Sequence, residues 1–390
     1  MSELTMPVLI QQPIQATRKA FFIAGFSLAT WAPLIPLAKE RLHVDHGAMG
    51  AILLAFGLGS LLMMPLSGLL AARYGCRRVF TSALLVVLLT MPALVLLDQV
   101  LAMALALFVF GAGVGAMDVV VNIHAVITEK RAEKPIMSGF HALFSLGGIM
   151  GAGLASALLA SGVSPLHVIF MVQALLLLLM LSAWQGLLNE SQPRDTPFFA
   201  LPYGSVIMLG ALCFIAYIME GAMLDWSGIL LLGLPDIHAS QAGIGYTLFA
   251  ITMTIGRFTG DRLIGRFGQR RVFVASALLA TCGFAMLVLG ASLWGLACAF
   301  LLTGFGLANI APMLFTATGR QQAMPDALAV AAVSTMGYSG ILMGPAMIGG
   351  LAHLFSLMGA FACITALSCA LFLCARRLRL GGCPNRLLRR

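Results

Sequence analysis

Polar, glycine and proline punctuation divides the chain into apolar runs of about 20 residues, the length at which one helix crosses the hydrocarbon core of a bilayer. Twelve such runs read as spans, at 18–39, 46–72, 79–97, 100–126, 137–162, 165–187, 203–232, 241–265, 272–290, 293–317, 327–354 and 358–378. A water-soluble fold cannot hide them. Hydrophobic residues make up 60% of the chain and charged residues 9%, whereas soluble domains are about half apolar and about a quarter charged. The predicted fold class is an all-α membrane protein of twelve transmembrane helices, and the 42 glycines suit close helix approach in lipid.

The net charge of +9 would suggest a nucleic-acid partner in a soluble protein, but here the basic residues cluster between apolar runs, where they report topology. Alternate loops carry Arg18 and Lys19, Arg73, Arg77 and Arg78, Lys130, Arg131 and Lys134, Arg194, Arg266, Arg270 and Arg271, Arg320 and the tail from Arg376 to Arg390. The opposite loops carry only Lys39 and Arg41. This asymmetry predicts that both termini are cytoplasmic. The first span lacks a small-residue cleavage site and is expected to stay attached. The eight cysteines, Cys383 among them, show no metal-ligand spacing and read as reduced packing residues.

The longest polar interruption, from Asn189 to Thr196, falls at the midpoint. It predicts an N-terminal six-helix bundle at 1–188, a cytoplasmic linker at 189–202 and a C-terminal bundle with a basic tail at 203–390. The halves also align at a constant offset of 193 residues: Arg77-Arg78-Val79-Phe80 on Arg270-Arg271-Val272-Phe273, Gly111 and Gly113 on Gly304 and Gly306, Gly147 and Gly151 on Gly340 and Gly344. One register held through four helices indicates an internal repeat and two pseudo-symmetric bundles. Parallel repeats of this kind are a transporter architecture, with the substrate site expected near the midplane between them.

The loop after the second span contains Gly68, Arg73, Gly75, Arg77 and Arg78 in an order that resembles the helix 2–3 signature of the major facilitator superfamily. Its counterpart after the eighth span keeps Arg266, Gly268, Arg270 and Arg271, and these two loops are the expected gating loops. Ala72 and Gly265 stand where the signature has an aspartate, with Asp261 one turn earlier. Trp31-Ala-x-x-x-Pro36, His141-x-x-x-Ser145-Leu-Gly147 and Glu220-Gly-x-x-x-Asp225-Trp226 resemble the MosC-like, YbjJ-type bacterial inner-membrane branch. That resemblance implies a secondary transporter working as a monomer, with no cofactor. In fucose-type permeases, which have a similar fold, a carboxylate of the fourth helix couples protons; by resemblance that carboxylate is Asp118 here, and His141, four residues before Ser145, reads equally as a titrating group assisting it and as a core histidine bonded to a backbone carbonyl.

A charge at a span centre costs about 2.5–3.5 kcal/mol even on the mild insertion scale, so intramembrane charges point to function. Asp118 shares one stripe of the fourth span with Gly111, Gly115 and Asn122, a face that can border a cavity or pack closely on another helix. In the seventh span Glu220 shares a broad face with Tyr217 and Ser227, while Asp225 lies on another face and Gly221 offers a point for unwinding. Glu220, Tyr217, Asn122, Trp31 and Asp225 are the candidate substrate-binding residues; Asp225 reads equally as a helix–helix bonding partner. Arg257 and Asp261 have the spacing of a local ion pair, and His124 reads as interfacial. Pro33 and Pro36 beside Trp31 predict a kink in the first span, and the small residues of the eleventh span, Gly340, Gly344, Gly349 and Gly350, predict close packing.

No phosphate-binding loop serves the four lysines, and neither HExxH nor GxSxG occurs, so neither an ATP-driven pump nor a membrane hydrolase is indicated. The expected activity is proton-coupled symport of a small polar solute, sugar-like or inositol-like by resemblance, through alternating access. Export of amphipathic compounds and a non-transporting sensor are the competing readings. The expected partners are a small-molecule substrate, protons and the lipid bilayer, with no nucleic acid and no metal. Reporter fusions after Arg131 and Arg377 should be active in the cytoplasm and one near Arg41 in the periplasm; a periplasmic signal after Arg131 would overturn this orientation.

Overall fold

A computed structural model describes residues 6–189, 201–233, 243–290 and 293–377. The core of the expected linker, with Arg194, and the basic tail beyond Arg377, with Cys383, lie outside the described residues. These are organised as fourteen α-helices. Eleven apolar segments are long enough to cross a bilayer. The helix Ile244–Phe267, which carries Arg257, Asp261, Arg262 and Arg266, is the further crossing, and its charges are accounted for below.

The first span is broken where the prolines predict it. Helix α1 (Met6–Thr30) stops at Thr30, a 3-10 turn covers Ala32–Leu34 and α2 (Ile35–Leu42) continues, because Pro33 and Pro36 supply no backbone N–H. Then follow α3 (His46–Tyr74), capped by the Asp45 carboxylate on the Ala48 N–H at 2.7 Å, α4 (Cys76–Leu96), α5 (Val100–Ala132), α6 (Met137–Ala160) and α7 (Pro165–Ala183). The second series comprises α8 (Ser205–Leu232), α9 (Ile244–Phe267), α10 (Gln269–Val288), α11 (Leu293–Leu307), α12 (Ile310–Arg320), α13 (Asp326–Phe355) and α14 (Leu357–Arg377). The tenth span is thus also broken, between α11 and α12, and the sequence reading treats it as continuous. By contrast α8 runs unbroken through Gly221, so the unwinding expected there does not occur.

Two compact units are distinguishable. The first takes in described residues of Met1–Glu133, Leu143–Pro202 and Met324–Ser334, the second those of Lys134–Ala142, Tyr203–Ala323 and Thr335–Arg390. Hence α6 gives its first residues to the second unit, and α13 its first residues to the first.

The internal repeat is visible within each unit. Helices α4 and α10 begin 193 residues apart, each after a glycine in the same conformation, Gly75 at φ 81°, ψ 154° and Gly268 at φ 83°, ψ 148°. Positive φ is strained for any residue with a Cβ. Gly111 of α5 lies so close to α3 that a Cβ would strike the Phe56 carbonyl oxygen, and Gly304 of α11 stands likewise against the Phe249 carbonyl of α9. In unit 1 the Ser60 hydroxyl donates to the Gly111 carbonyl at 2.8 Å, adding a polar tie to that contact. The Gly111 and Gly115 stripe of α5 therefore serves helix packing.

The repeated arginines fasten helix ends. Arg77 donates from Nε to the Leu187 carbonyl at 2.7 Å and from Nη2 to the Gln185 carbonyl at 3.2 Å, just past the end of α7. Its counterpart Arg270 donates to the Arg376 carbonyl at 2.8 Å, at the end of α14. Both place a cation on carbonyls left unpaired at a helix C-terminus. Arg41 does the same for α4, donating to the Leu94 and Leu97 carbonyls at 2.8 Å each. His124, read as interfacial, is instead fully buried: Nδ1 pairs with the Thr17 hydroxyl at 2.8 Å, and Nε2 accepts the Leu188 N–H at 2.9 Å.

Helices α8 and α13 meet through the glycines of the eleventh span: a Cβ at Gly340 would reach the Phe214 carbonyl oxygen at 2.5 Å, whereas one at Gly350 would touch nothing. Gly340→Leu should therefore lower the thermal midpoint of the detergent-solubilised protein, at an overpacking cost of about 1–3 kcal/mol. Gly350→Leu should leave it unchanged. Equal midpoints for the two variants would contradict this packing.

Candidate functional site

The intramembrane charges fall into two groups of different character, one in each unit. In unit 1, Asp118 of α5 is partly accessible, and among the described residues its carboxylate takes part in no hydrogen bond or ion pair; only its backbone carbonyl is used, accepting from Asn122 Nδ2 at 2.9 Å. Asn122 itself is 1% exposed, and its Oδ1 has no hydrogen-bond partner among the described residues. Trp31, at the break between α1 and α2, is 6% exposed, and its indole N–H has no partner among the described residues. Helix α5 thus holds a carboxylate that no cation among the described residues compensates.

In unit 2 the charges are paired. Arg257 of α9, with a side chain 9% exposed, stands 3.6 Å from Glu220 of α8, whose side chain is 27% exposed. The guanidinium is held from behind, where its Nε donates to the Ala308 carbonyl at 3.4 Å. That carbonyl is available for a local reason. Pro312 has no N–H to return to residue 308, and its ring crowds that carbonyl, so the tenth span breaks between α11 and α12. Asn309, at the break, secures the other side by donating from Nδ2 to the Gly256 carbonyl at 3.0 Å. Proline, arginine and asparagine thereby form one device, for which Pro312 is the signal in the sequence.

His141, in the first part of α6, stacks on Phe315 of α12 with ring centroids 5.7 Å apart, within electrostatic reach of Arg257. Tyr246 of α9 lies within electrostatic reach of Glu220, Arg257 and Asp225. Tyr217 packs its ring against Gly337 of α13. Asp225 occupies an exposed stretch of α8, while Trp226 beside it lies against Gly349. Of the residues singled out in the sequence, the structure sets Glu220 beside Arg257 and stacks His141 on Phe315. Sequence reasoning missed Tyr246 and Asn309, and assigned Arg257 to a local pair.

Asp261 also reaches beyond its own helix. Its two carboxylate oxygens accept the backbone N–H groups of Ser138 and Gly139, at 2.9 Å each, at the start of α6. A carboxylate on a helix N-terminus is favoured by the macrodipole and satisfies two orphan donors. Asp261 stands at the repeat position of Gly68, and Gly68 itself approaches the first turns of α13 so closely that a Cβ would strike Ala331. Nearby, Lys130 at the end of α5 pairs with Asp326, the first residue of α13, at 2.5 Å. Of the other loop arginines, Arg73 lies over the Tyr74 ring and Arg266 over the Phe267 ring, and Arg78 and Arg271 are exposed.

A duplicated set of glycine-packed spans, with charges set inside the membrane and broken helices beside them, is an architecture that many membrane transporters share. The sequence matches the Major Facilitator Superfamily over residues 20–234. It is 47% identical to an MFS-type transporter of Yersinia pestis, covering 90% of this chain and 92% of that one. To membrane protein MosC of Rhizobium meliloti it is 30% identical, covering 90% and 87%. Among solved structures, the outward conformation of the transporter FucP superposes with a TM-score of 0.73 at 17% identity, over 94% of this chain and 98% of that one. The human organic anion transporter MFSD10 gives 0.75 at 15% identity, over 94% and 99%. The chain belongs to the Major Facilitator Superfamily. It is a multi-pass membrane transporter and not an enzyme.

Because Arg257 is buried and Glu220 is its counter-charge, Glu220→Gln should destabilise the protein more than Glu220→Gln combined with Arg257→Gln. Glu220 is partly accessible, so the single change should cost about 1–3 kcal/mol, below the ~3–5 kcal/mol of a fully buried pair. Thermal unfolding in detergent measures both; a double variant less stable than the single one would remove the charge compensation.

Proposed function

We propose that this protein is a proton-coupled symporter of the bacterial inner membrane, with cytoplasmic termini, that takes up a small polar organic solute by alternating access. Residues 1–188 and 203–390 are its two moving halves, joined by the linker 189–202. The observation that carries the reading is Asp118: a carboxylate in the fourth span that is partly accessible and, among the described residues, has no partner for its side chain. A charge in that setting is costly, so the group is suited to hold a proton when shut off from water and to release it when opened. Proton exchange is thereby tied to access. Glu220 already has a cation beside it, which fits it for recognition rather than for carrying the driving proton. Asn122 and Trp31 in the first unit, and Tyr217 and Asp225 in the second, are the other residues proposed to bind substrate.

Replacing Asp118 by Asn fixes the neutral form. In proteoliposomes containing a pH-sensitive dye and challenged with a panel of sugars, polyols and sugar acids, the wild type should show solute-induced proton entry. Asp118→Asn should show none, while solute exchange between equilibrated compartments persists. Undiminished proton entry in Asp118→Asn would exclude Asp118 as the carrier.

A further inference from the structure

Helix α9 presents one exposed stripe. Ile251, Ile255 and Phe258 are each about half exposed, and Arg262 and Arg266, both exposed, continue the same helical spacing. On a spanning helix, large apolar side chains left uncovered by protein face hydrocarbon, so this stripe is a lipid face that ends in two guanidiniums. Among the described residues Arg262 has no hydrogen bond or ion pair with the protein, and Arg266 is paired with the Phe267 ring, whose centre lies 5.3 Å from its guanidinium carbon.

The internal repeat supplies a comparison. At the offset of 193 residues, Ile251 and Ile255 fall on Leu58 and Leu62 of α3, which are exposed as well, and Arg266 falls on Arg73. Arg73 likewise lies over the ring that follows it, Tyr74. Arg262, however, falls on Leu69. The second series thus carries an added cation where the first has an apolar residue. Like charges four residues apart on a helix repel, and Arg262 stands five residues before the end of α9 at Phe267, a depth of about 7 Å at about 1.5 Å per residue. That is near the inner edge of a headgroup layer about 5–7 Å thick on each side of the bilayer. A guanidinium at this depth reaches toward the phosphates. One phosphate shared by both arginines relieves their repulsion and suits the planar fork of each.

We infer that α9 binds an anionic phospholipid of the leaflet at its Phe267 end, with the phosphate between Arg262 and Arg266 and an acyl chain along Phe258, Ile255 and Ile251. A headgroup of net negative charge, such as phosphatidylglycerol, complements the two cations. A zwitterionic one, such as phosphatidylcholine, brings a cation of its own and is disfavoured. The stripe of α3 offers the apolar track without the second arginine, so the selection for charge belongs to α9.

The test is native mass spectrometry of the detergent-purified full chain, mixed with phosphatidylglycerol and phosphatidylcholine of identical acyl chains at equal concentrations. The wild type should retain phosphatidylglycerol in preference. Arg262→Leu, which installs the side chain of the first series, should lower that preference about fivefold, as expected for the loss of one cation at the membrane surface. Arg262→Gln should lower it to the same extent, so the result does not depend on the folding of one variant. Glycerol 3-phosphate, which has the phosphate without the chains, should not displace the lipid at equal concentration. Equal retention of the two lipids by the wild type, or an undiminished preference in the variants, overturns the inference. Displacement by glycerol 3-phosphate overturns it too, because the site would then serve soluble anions.

Discussion

In hydrocarbon an unsatisfied backbone carbonyl costs several kcal/mol, and this one constraint governs where the helices of the transporter can break. The tenth span can open at Ala308 because Arg257 supplies the missing donor. Arg257 can remain in the span because Glu220 compensates its charge, and α8 is held in place by its glycine-mediated contact with α13. Each step depends on the one named after it. The first span solves the same problem differently, closing a 3-10 turn from the Leu34 N–H to the Trp31 carbonyl at 3.0 Å.

Glycine does the complementary work. Between helices in lipid, burial of apolar surface gives no net drive, so van der Waals contact and polar ties must hold the bundle. At Gly111, Gly304 and Gly340 the backbones approach until no side chain fits. Around these contacts the protein concentrates its few internal polar groups: uncompensated in α5, compensated between α8 and α9.

The spans, the kink at Pro33 and Pro36 and the internal repeat were legible because each is written locally or at one fixed offset. Helix periodicity placed Asp118 and Glu220 on their faces, but it does not reveal what stands opposite a face. That is why Arg257 and Asp261, four residues apart, read as each other's partners, whereas the structure shows Arg257 beside Glu220 and Asp261 on the first N–H groups of α6. Those partners are 37 and more than 120 residues distant in sequence, and only packing brings them close. His124 misled for the same reason: its depth along α5 suggested headgroups, while Thr17 and Leu188 enclose it. The break at Asn309 had a local sign in Pro312, which a count of apolar residues passes over.

The fastening of α7 by Arg77, repeated for α14 by Arg270, bears on the order in which the polypeptide is made. Each arginine follows the second helix of its series and waits for the carbonyl end of the last one. During synthesis the loop is already in place when that end emerges, so a completed series can be closed on itself before anything further along the ribosome's track is needed.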